Sequence, residues 1–151
     1  MTITLRPYST ADEGAAIALW QRTWQVAYPQ IAFDKRLEWW TARWREELVP
    51  VATIVVAERD GEMIGLVTIE EKTGYLDQLV VAPECWRSGV GRLLVDEAKR
   101  LSPDKIELHV NQDNERAIAL YVKLGFAITG ESVSKQSGLP LYVMTWRPKS
   151  D

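Results

Sequence analysis

Between Tyr75 and Val110 the chain reads as strand, glycine-containing turn, helix and strand, and this unit constrains the fold more than any other stretch. Tyr75–Val81 is rich in residues that favour strands. Pro83 through Gly91 follows as a turn carrying Gly89-Val90-Gly91. Val90, Leu93, Leu94, Ala98 and Leu101 then recur on one helical face, with Lys99 and Arg100 in the last turn, where cations are favoured, and Ser102-Pro103 as the stop. Lys105–Val110 is a strand of the buried kind. A helical crossover between two strands places one parallel pair in the sheet.

The remaining segments complete a mixed α/β (α+β) domain. Ile3–Arg6 is a short strand stopped by Pro7. Ser9-Thr10-Ala11-Asp12-Glu13 offers a helix start, with Thr10 and Glu13 at the spacing of a capping box. Ile17, Trp20, Trp24, Ala27 and Tyr28 follow at helical spacing until Pro29. A second helix begins near Asp34, presents Leu37, Trp40, Trp44 and Leu48 on one face, and ends by Pro50. Thr53–Glu58 and Met63–Glu70 are strands joined at Asp60-Gly61, a hairpin signal. Lys72-Thr73-Gly74 turns the chain into Tyr75–Val81. After the crossover, Asn114–Leu124 reads as a helix with Ala117, Ile118, Tyr121 and Leu124 on one side. Gly125 suits the left-handed position that ends it. Phe126–Thr129 and Leu141–Trp146 close the sheet. The order β-α-α-β-β-β-α-β-α-β-β implies about seven strands, mostly antiparallel, with flanking helices. No repeat or linker divides residues 1–151, which form one domain.

Composition narrows the function. A net charge of −3 gives no overall basic excess for binding phosphates, so no nucleic-acid partner is expected. The single cysteine, Cys85, and single histidine, His109, allow neither an internal disulfide nor a common Cys/His zinc site, so no metal is expected. Met1 to Arg6 lacks a signal-peptide pattern, and no apolar run approaches the ~18 residues of a membrane helix. The expected setting is cytoplasmic, without a membrane partner. Five of the seven tryptophans lie between Trp20 and Trp44. Packing of helices is the first reading of that cluster, and lining of an acceptor pocket is the second.

The turn after Tyr75–Val81 has the means to hold a phosphate. A helix N-terminus presents unpaired N–H groups and a positive dipole end, and glycines let the backbone come close to an anion. Arg87 and Arg92 add charge, and Ser88 adds a donor. Taken alone, Gly89-Val90-Gly91 reads first as a tight turn. It is not a P-loop, and Leu94 stands where a dinucleotide fingerprint needs its third glycine. One strand later comes Asn114-Glu115-Arg116-Ala117-Ile118-Ala119-Leu120-Tyr121-Val122-Lys123-Leu124-Gly125-Phe126. With both stretches in view, the sequence resembles the GNAT superfamily of N-acetyltransferases. That family carries Gln/Arg-x-x-Gly-x-Gly/Ala at its pyrophosphate turn, then Asn-x-x-Ala, Tyr and Gly-Phe. Trp86 stands at the Gln/Arg position, Arg87 replaces a common Gly, and Ser88 replaces a common basic residue. Gly89, Gly91, Asn114, Ala117, Tyr121, Gly125 and Phe126 match, and the element order matches over nearly the whole chain.

The resemblance implies a GNAT-like domain that takes acetyl-CoA as cosubstrate, in a cleft where Tyr75–Val81 splays from Lys105–Val110. Within Leu79-Val80-Val81, backbone groups of Leu79 and Val81 would pair with the pantetheine arm. Amides of Arg87, Ser88, Gly89, Val90, Gly91 and Arg92, next to Trp86, would hold the pyrophosphate. Asn114, Ala117 and Tyr121 would reach the arm from the other side. The implied reaction is direct acetyl transfer to a primary amine of a small molecule or peptide. It needs a neutral amine, whose ordinary pKa is ~10.4. It also needs a donor to the developing oxyanion, the Leu79 N–H, and a proton for the departing thiolate, from Tyr121. By periodicity alone Tyr121 is a core tyrosine. Asp77 interrupts an apolar strand and is the candidate base, directly or through water; a solvated strand-end aspartate is the equal alternative. Glu70, Glu71 and His109 are weaker candidates, and Cys85 reads as structural. The helices from Thr10 to Val49 and the loop near Gly138 would shape the acceptor pocket. The resemblance also allows a homodimer. The competing reading is a CoA-binding regulatory or interaction module without catalysis, against which the retained Tyr121 argues.

Overall fold

The computed structural model describes residues 2–149; Met1, Ser150 and Asp151 of the expected 1–151 domain lie outside them. The elements are β1 (Ile3–Pro7), α1 (Glu13–Ala27), α2 (Leu37–Arg43), β2 (Thr53–Arg59), β3 (Glu62–Glu70), β4 (Tyr75–Val81), α3 (Val90–Leu101), β5 (Ile106–Asn111), α4 (Glu115–Lys123), β6 (Ala127–Val133) and β7 (Pro140–Trp146). They follow the expected order. The strands form one seven-stranded sheet, ordered β1-β2-β3-β4-β5-β7-β6. Every neighbouring pair is antiparallel except β4 with β5, the pair that α3 connects.

The interior strand β3 is buried from Ile64 to Ile69, so both faces of the sheet are covered there. Side chains alternate along a strand, and each face takes a different helical layer. On the Gly65 face α3 comes very close: a Cβ at Gly65 would lie 2.9 Å from Leu94 Cδ1 and 3.1 Å from the Val80 carbonyl oxygen. A larger residue at 65 would force Leu94 to shift and crowd the Val80 carbonyl, so glycine lets α3 seat closely. On the other face α1 and α2 pack through aromatic rings. Trp20 stacks on Trp40 with centroids 4.5 Å apart, and Trp44 Nε1, just after α2, donates at 3.0 Å to the hydroxyl of Tyr8, just after β1. Trp40 and Trp44 are almost wholly buried, so the packing reading holds for them.

Several local expectations are corrected. The helix cap is formed by Ser9 and Asp12, not Thr10 and Glu13, because a 3-10 turn at Thr10–Asp12 precedes α1. Leu93 is exposed. The buried stripe of α3 runs through Val90, Leu94, Val95 and Ala98 instead. After Arg43, α2 widens into a π-helical turn at Trp44–Leu48. A wider turn offsets the angular drift of positions four apart, and Trp40, Trp44 and Leu48 stay buried together. β6 continues past Thr129 to Val133, because Leu141 and Pro140 of β7 pair with Ser132 and Val133.

One irregularity positions the site. In the β3–β4 ladder Thr68 faces Gln78 and Ile69 faces Leu76, so Asp77 is an extra, unpaired residue on β4. A bulge of this kind bends its strand and breaks pairing locally. Thr68 is fully buried, and its hydroxyl accepts the Gln78 N–H at 3.0 Å, replacing a ladder bond at the bulge. Parallel pairing of β4 with β5 covers Tyr75 with Glu107 and Leu76 with Leu108, and ends there.

Thr68→Val should lower stability by about 1–3 kcal/mol, because it strips the Gln78 amide of its acceptor. Urea unfolding measures this, and an unchanged midpoint would show that the bulge does not need the hydroxyl. Acid stability offers a second check. Hydrogen bonds from Arg6, at 2.7 and 2.8 Å, hold the Asp12 carboxyl down at about 2. Unfolded aspartate titrates near ~3.9. The stabilisation is therefore present above pH ~4 and lost as pH falls from there towards 2. Asp12→Asn should flatten that acid limb in a pH series of thermal melts.

Candidate active site

Beyond the bulge, β4 and β5 diverge and leave one edge of β4 open. The Gln78 amide points to Thr68 and the Ala82 amide to the Ile64 carbonyl oxygen at 2.8 Å. Alternation then turns the amides of Leu79 and Val81 to the open edge. Val80, expected beside them at the cofactor, faces the other way: it pairs with Leu66 and its side chain is buried. The Val81 carbonyl already accepts the Trp86 indole N–H at 2.8 Å.

The turn that follows carries two left-handed residues, Arg87 at φ 67° and Gly89 at φ 93°. This conformation costs little for Gly89 and is uncommon for an arginine. It leads directly into α3, whose first amides have no partner inside the helix. A Cβ on Gly91 would lie 3.1 Å from Leu120 Cδ2, so α4 packs across the start of α3. Not every expected side chain faces the cleft. The Ser88 hydroxyl donates to the Cys85 carbonyl and closes the turn, and Val90 is a core residue that offers only its amide. The Asn114 side-chain oxygen caps α4 by accepting the Ala117 N–H at 3.3 Å.

The open edge belongs to a cavity of about 1310 Å³ that runs between α1, α2, the α3 turn, α4 and the segment 132–141. A single small ligand typically occupies ~300–1,000 Å³, so this cavity has room for two reactants. Leu79, Val81, Trp86, Arg87, Gly89, Gly91, Arg92, Asn114, Ala117 and Tyr121 line it from one end. Tyr121 is buried, with its ring 5.5 Å from Phe126. Burial raises its phenol above the ordinary tyrosine range, and the nearby charge of Arg116 opposes this in part. The hydroxyl therefore keeps its proton at neutral pH.

Asp77 lines the same cavity in company the sequence did not reveal. Its Oδ1 accepts from Arg43 Nη1 and Gln78 Nε2, each at 3.0 Å, and its Oδ2 accepts from Arg43 Nη2 at 2.5 Å. A carboxylate has about four acceptor positions, so one on Oδ2 is left for water. Arg43 also lies 3.5 Å from Glu47. Its position, one turn after Trp40's and beside the tryptophan stripe, was the available signal. His109 lines the cavity with its ring edge-on to Tyr75 at 5.4 Å, and burial pushes the Tyr75 phenol up to about 12. Glu71 instead accepts from the Thr53 hydroxyl, and Cys85 is buried. The tryptophans divide their roles: Trp44 is core, whereas Trp24 and Trp39 line the cavity. Thr23 Oγ1, Trp40 Nε1 and Gln78 Oε1 are buried without partners, and all three residues line this cavity.

Comparison with known proteins identifies the family. Residues 15–126 match the family model described as Acetyltransferase (GNAT) family. The chain belongs to the GNAT family. The chain is 30% identical to the peptidyl-lysine N-acetyltransferase YjaB of Escherichia coli over 146 residues, covering 93% of this chain and 92% of the relative. It is 34% identical to the peptidyl-lysine N-acetyltransferase YiaC of the same organism over 91 residues, 60% of this chain and 61% of that one. The solution structure of apo YjaB superposes with a TM-score of 0.78 at 27% identity, covering 97% and 98% of the two chains. The PaiA N-acetyltransferase of Thermoplasma acidophilum, solved with coenzyme A, shares the fold at a TM-score of 0.78 and 20% identity, over 98% and 100% of the chains. The protein is a GNAT N-acetyltransferase, and the competing reading of a module without catalysis has no support among these relatives. Among the described residues no helix is long and apolar enough to cross a membrane.

Arg43→Gln should destabilise this GNAT enzyme by about 2 kcal/mol, between the limits for exposed and buried ion pairs, because it leaves the Asp77 carboxylate uncompensated. Adding Asp77→Asn should recover much of that loss. Chemical denaturation of the two single variants and the double variant gives the coupling, and strictly additive effects would contradict it.

Proposed function

We propose that this enzyme moves an acetyl group from acetyl-CoA directly to a primary amine, with the side chain of a peptidyl lysine as acceptor class. The observation that carries the cofactor reading is the splay of β4 from β5 at Asp77. It frees the Leu79 and Val81 amides on a cavity that also holds the Gly89 turn and Tyr121. The residues fit the group. Extended amides suit a pantetheine arm, the N-terminus of α3 suits a diphosphate, and Arg87 and Arg92 add charge. The acceptor class is supported by the names of YjaB and YiaC.

Acetyl-CoA supplies an acyl group activated as a thioester. The Leu79 N–H is the donor for the acyl oxygen as it gains charge, a role for which a fixed backbone amide needs no reorganisation. Tyr121 holds the proton for the departing thiolate, and its burial keeps the phenol protonated at neutral pH. Asp77 draws a proton from the incoming amine through a water on the free position of Oδ2. Arg43 fixes the carboxylate in the required orientation.

Tyr121→Phe should lower kcat by about 10²-fold or more, the usual scale of a lost general acid, and leave the Kd for acetyl-CoA within about twofold. Thiol release with a lysine peptide, together with calorimetric titration of acetyl-CoA, separates the two effects. Undiminished turnover would remove Tyr121 from the proton-transfer role.

A further inference from the structure

Arg116 is a cavity-lining arginine that has not yet been given a task. It sits on the first turn of α4, two residues after the Asn114 cap. Its guanidinium carbon lies over the Trp86 indole, 3.6 Å from the ring centroid. Trp86 is itself anchored: its N–H is held by the Val81 carbonyl at 2.8 Å, and its ring packs on the core. A planar guanidinium on an anchored aromatic face loses little freedom when it binds a ligand.

The charge balance around Arg116 is unusual. Its side chain is exposed overall, but the Trp86 ring takes part of the guanidinium out of water, and this desolvation pulls its pKa down from the ordinary arginine value. No carboxylate among the described residues offsets it; the charged group that acts on it is Arg87, of the same sign. The other arginines with buried or ordered heads have acidic partners, as Arg6 has Asp12 and Arg43 has Asp77. Two guanidiniums facing one cavity beside the free amides of α3 leave a deficit of negative charge. An anion would fill it.

We propose that Arg116, seated on the Trp86 indole, is a phosphate-binding side chain of the cofactor site and that Trp86 is the shelf which positions it. The phosphate is supplied either by the diphosphate bridge or by the ribose 3′-phosphate of coenzyme A. The inference rests on the acetyl-CoA reading above. It deepens that reading by giving Arg116 and Trp86 defined parts in holding the phosphate.

Binding of coenzyme A, followed by isothermal calorimetry, tests it without relying on turnover. Arg116→Gln should weaken binding about tenfold or more, the scale of a lost charge-assisted hydrogen bond, and should make affinity less dependent on salt. Repeating the titration with 3′-dephospho-coenzyme A separates the sources. An equal loss for both ligands assigns Arg116 to the diphosphate, and a loss confined to coenzyme A assigns it to the 3′-phosphate. Trp86→Phe, which keeps an aromatic face, should bind within about threefold of wild type, whereas Trp86→Leu should lose most of what Arg116→Gln loses. Thermal unfolding of each variant checks that the fold is intact. Arg116→Gln binding coenzyme A within twofold of wild type overturns the proposal. Equal binding by Trp86→Phe and Trp86→Leu overturns the shelf. A wild-type protein that does not bind coenzyme A overturns the cofactor reading itself, and the inference with it.

Discussion

The unpaired residue at position 77 is the constraint on which the site depends. A β4 strand in continuous register would pair with β5 along its length, and the amides of Leu79 and Val81 would be consumed by the sheet. The extra residue ends parallel pairing after Leu76 and opens the edge. The cost is a Gln78 amide without a ladder partner, met by the buried hydroxyl of Thr68. Asp77 itself, displaced from the ladder, becomes a cavity residue held by Arg43 of α2. One inserted residue thus creates the cleft, exposes its donors and presents its carboxylate.

The helices around this edge carry different charges for different tasks. At the α3–α4 end, Arg87 and Arg116 face the cavity, with the free amides of α3 beside them. At the α1–α2 end, Arg43 is matched by Asp77 and approached by Glu47. Unmatched positive charge suits a polyanionic ligand, whereas a compensated pair suits an amine that must shed a proton without meeting a free cation.

Much of this was legible in the chain. The strand–turn–helix–strand unit and the later Asn114 to Phe126 stretch specify the element order and the parallel pair, because turns and helix caps are local chemistry. The bulge was not legible. It is a register mismatch between β3 and β4, and Asp77 looked only like a polar interruption. Arg43 and Arg116 were missed for a related reason: each acquires its meaning from a partner 34 or 30 residues away, Asp77 or Trp86. Ser88 and Val80 were drawn into the cofactor site by their neighbours. Their side chains serve the turn and the core. Leu93 was misplaced because a helical stripe read from spacing alone can be drawn through either of two adjacent residues.

The tryptophan layer shows how closely stability and recognition are joined here. Trp20 and Trp40 stack as core, yet both also line the cavity, and Trp24 and Trp39 extend the same aromatic wall. Native proteins leave few buried polar atoms unpaired. Here Thr23 Oγ1, Trp40 Nε1 and Gln78 Oε1 are unpaired together, one each from α1, α2 and β4. A layer optimised only for stability would have filled those positions with apolar groups of the same size. Their clustering on one cavity is the pattern expected where folding leaves hydrogen bonds for a second molecule to complete. Those open hydrogen bonds lie on the α1–α2 side of the cavity and on β4 beside the bulge.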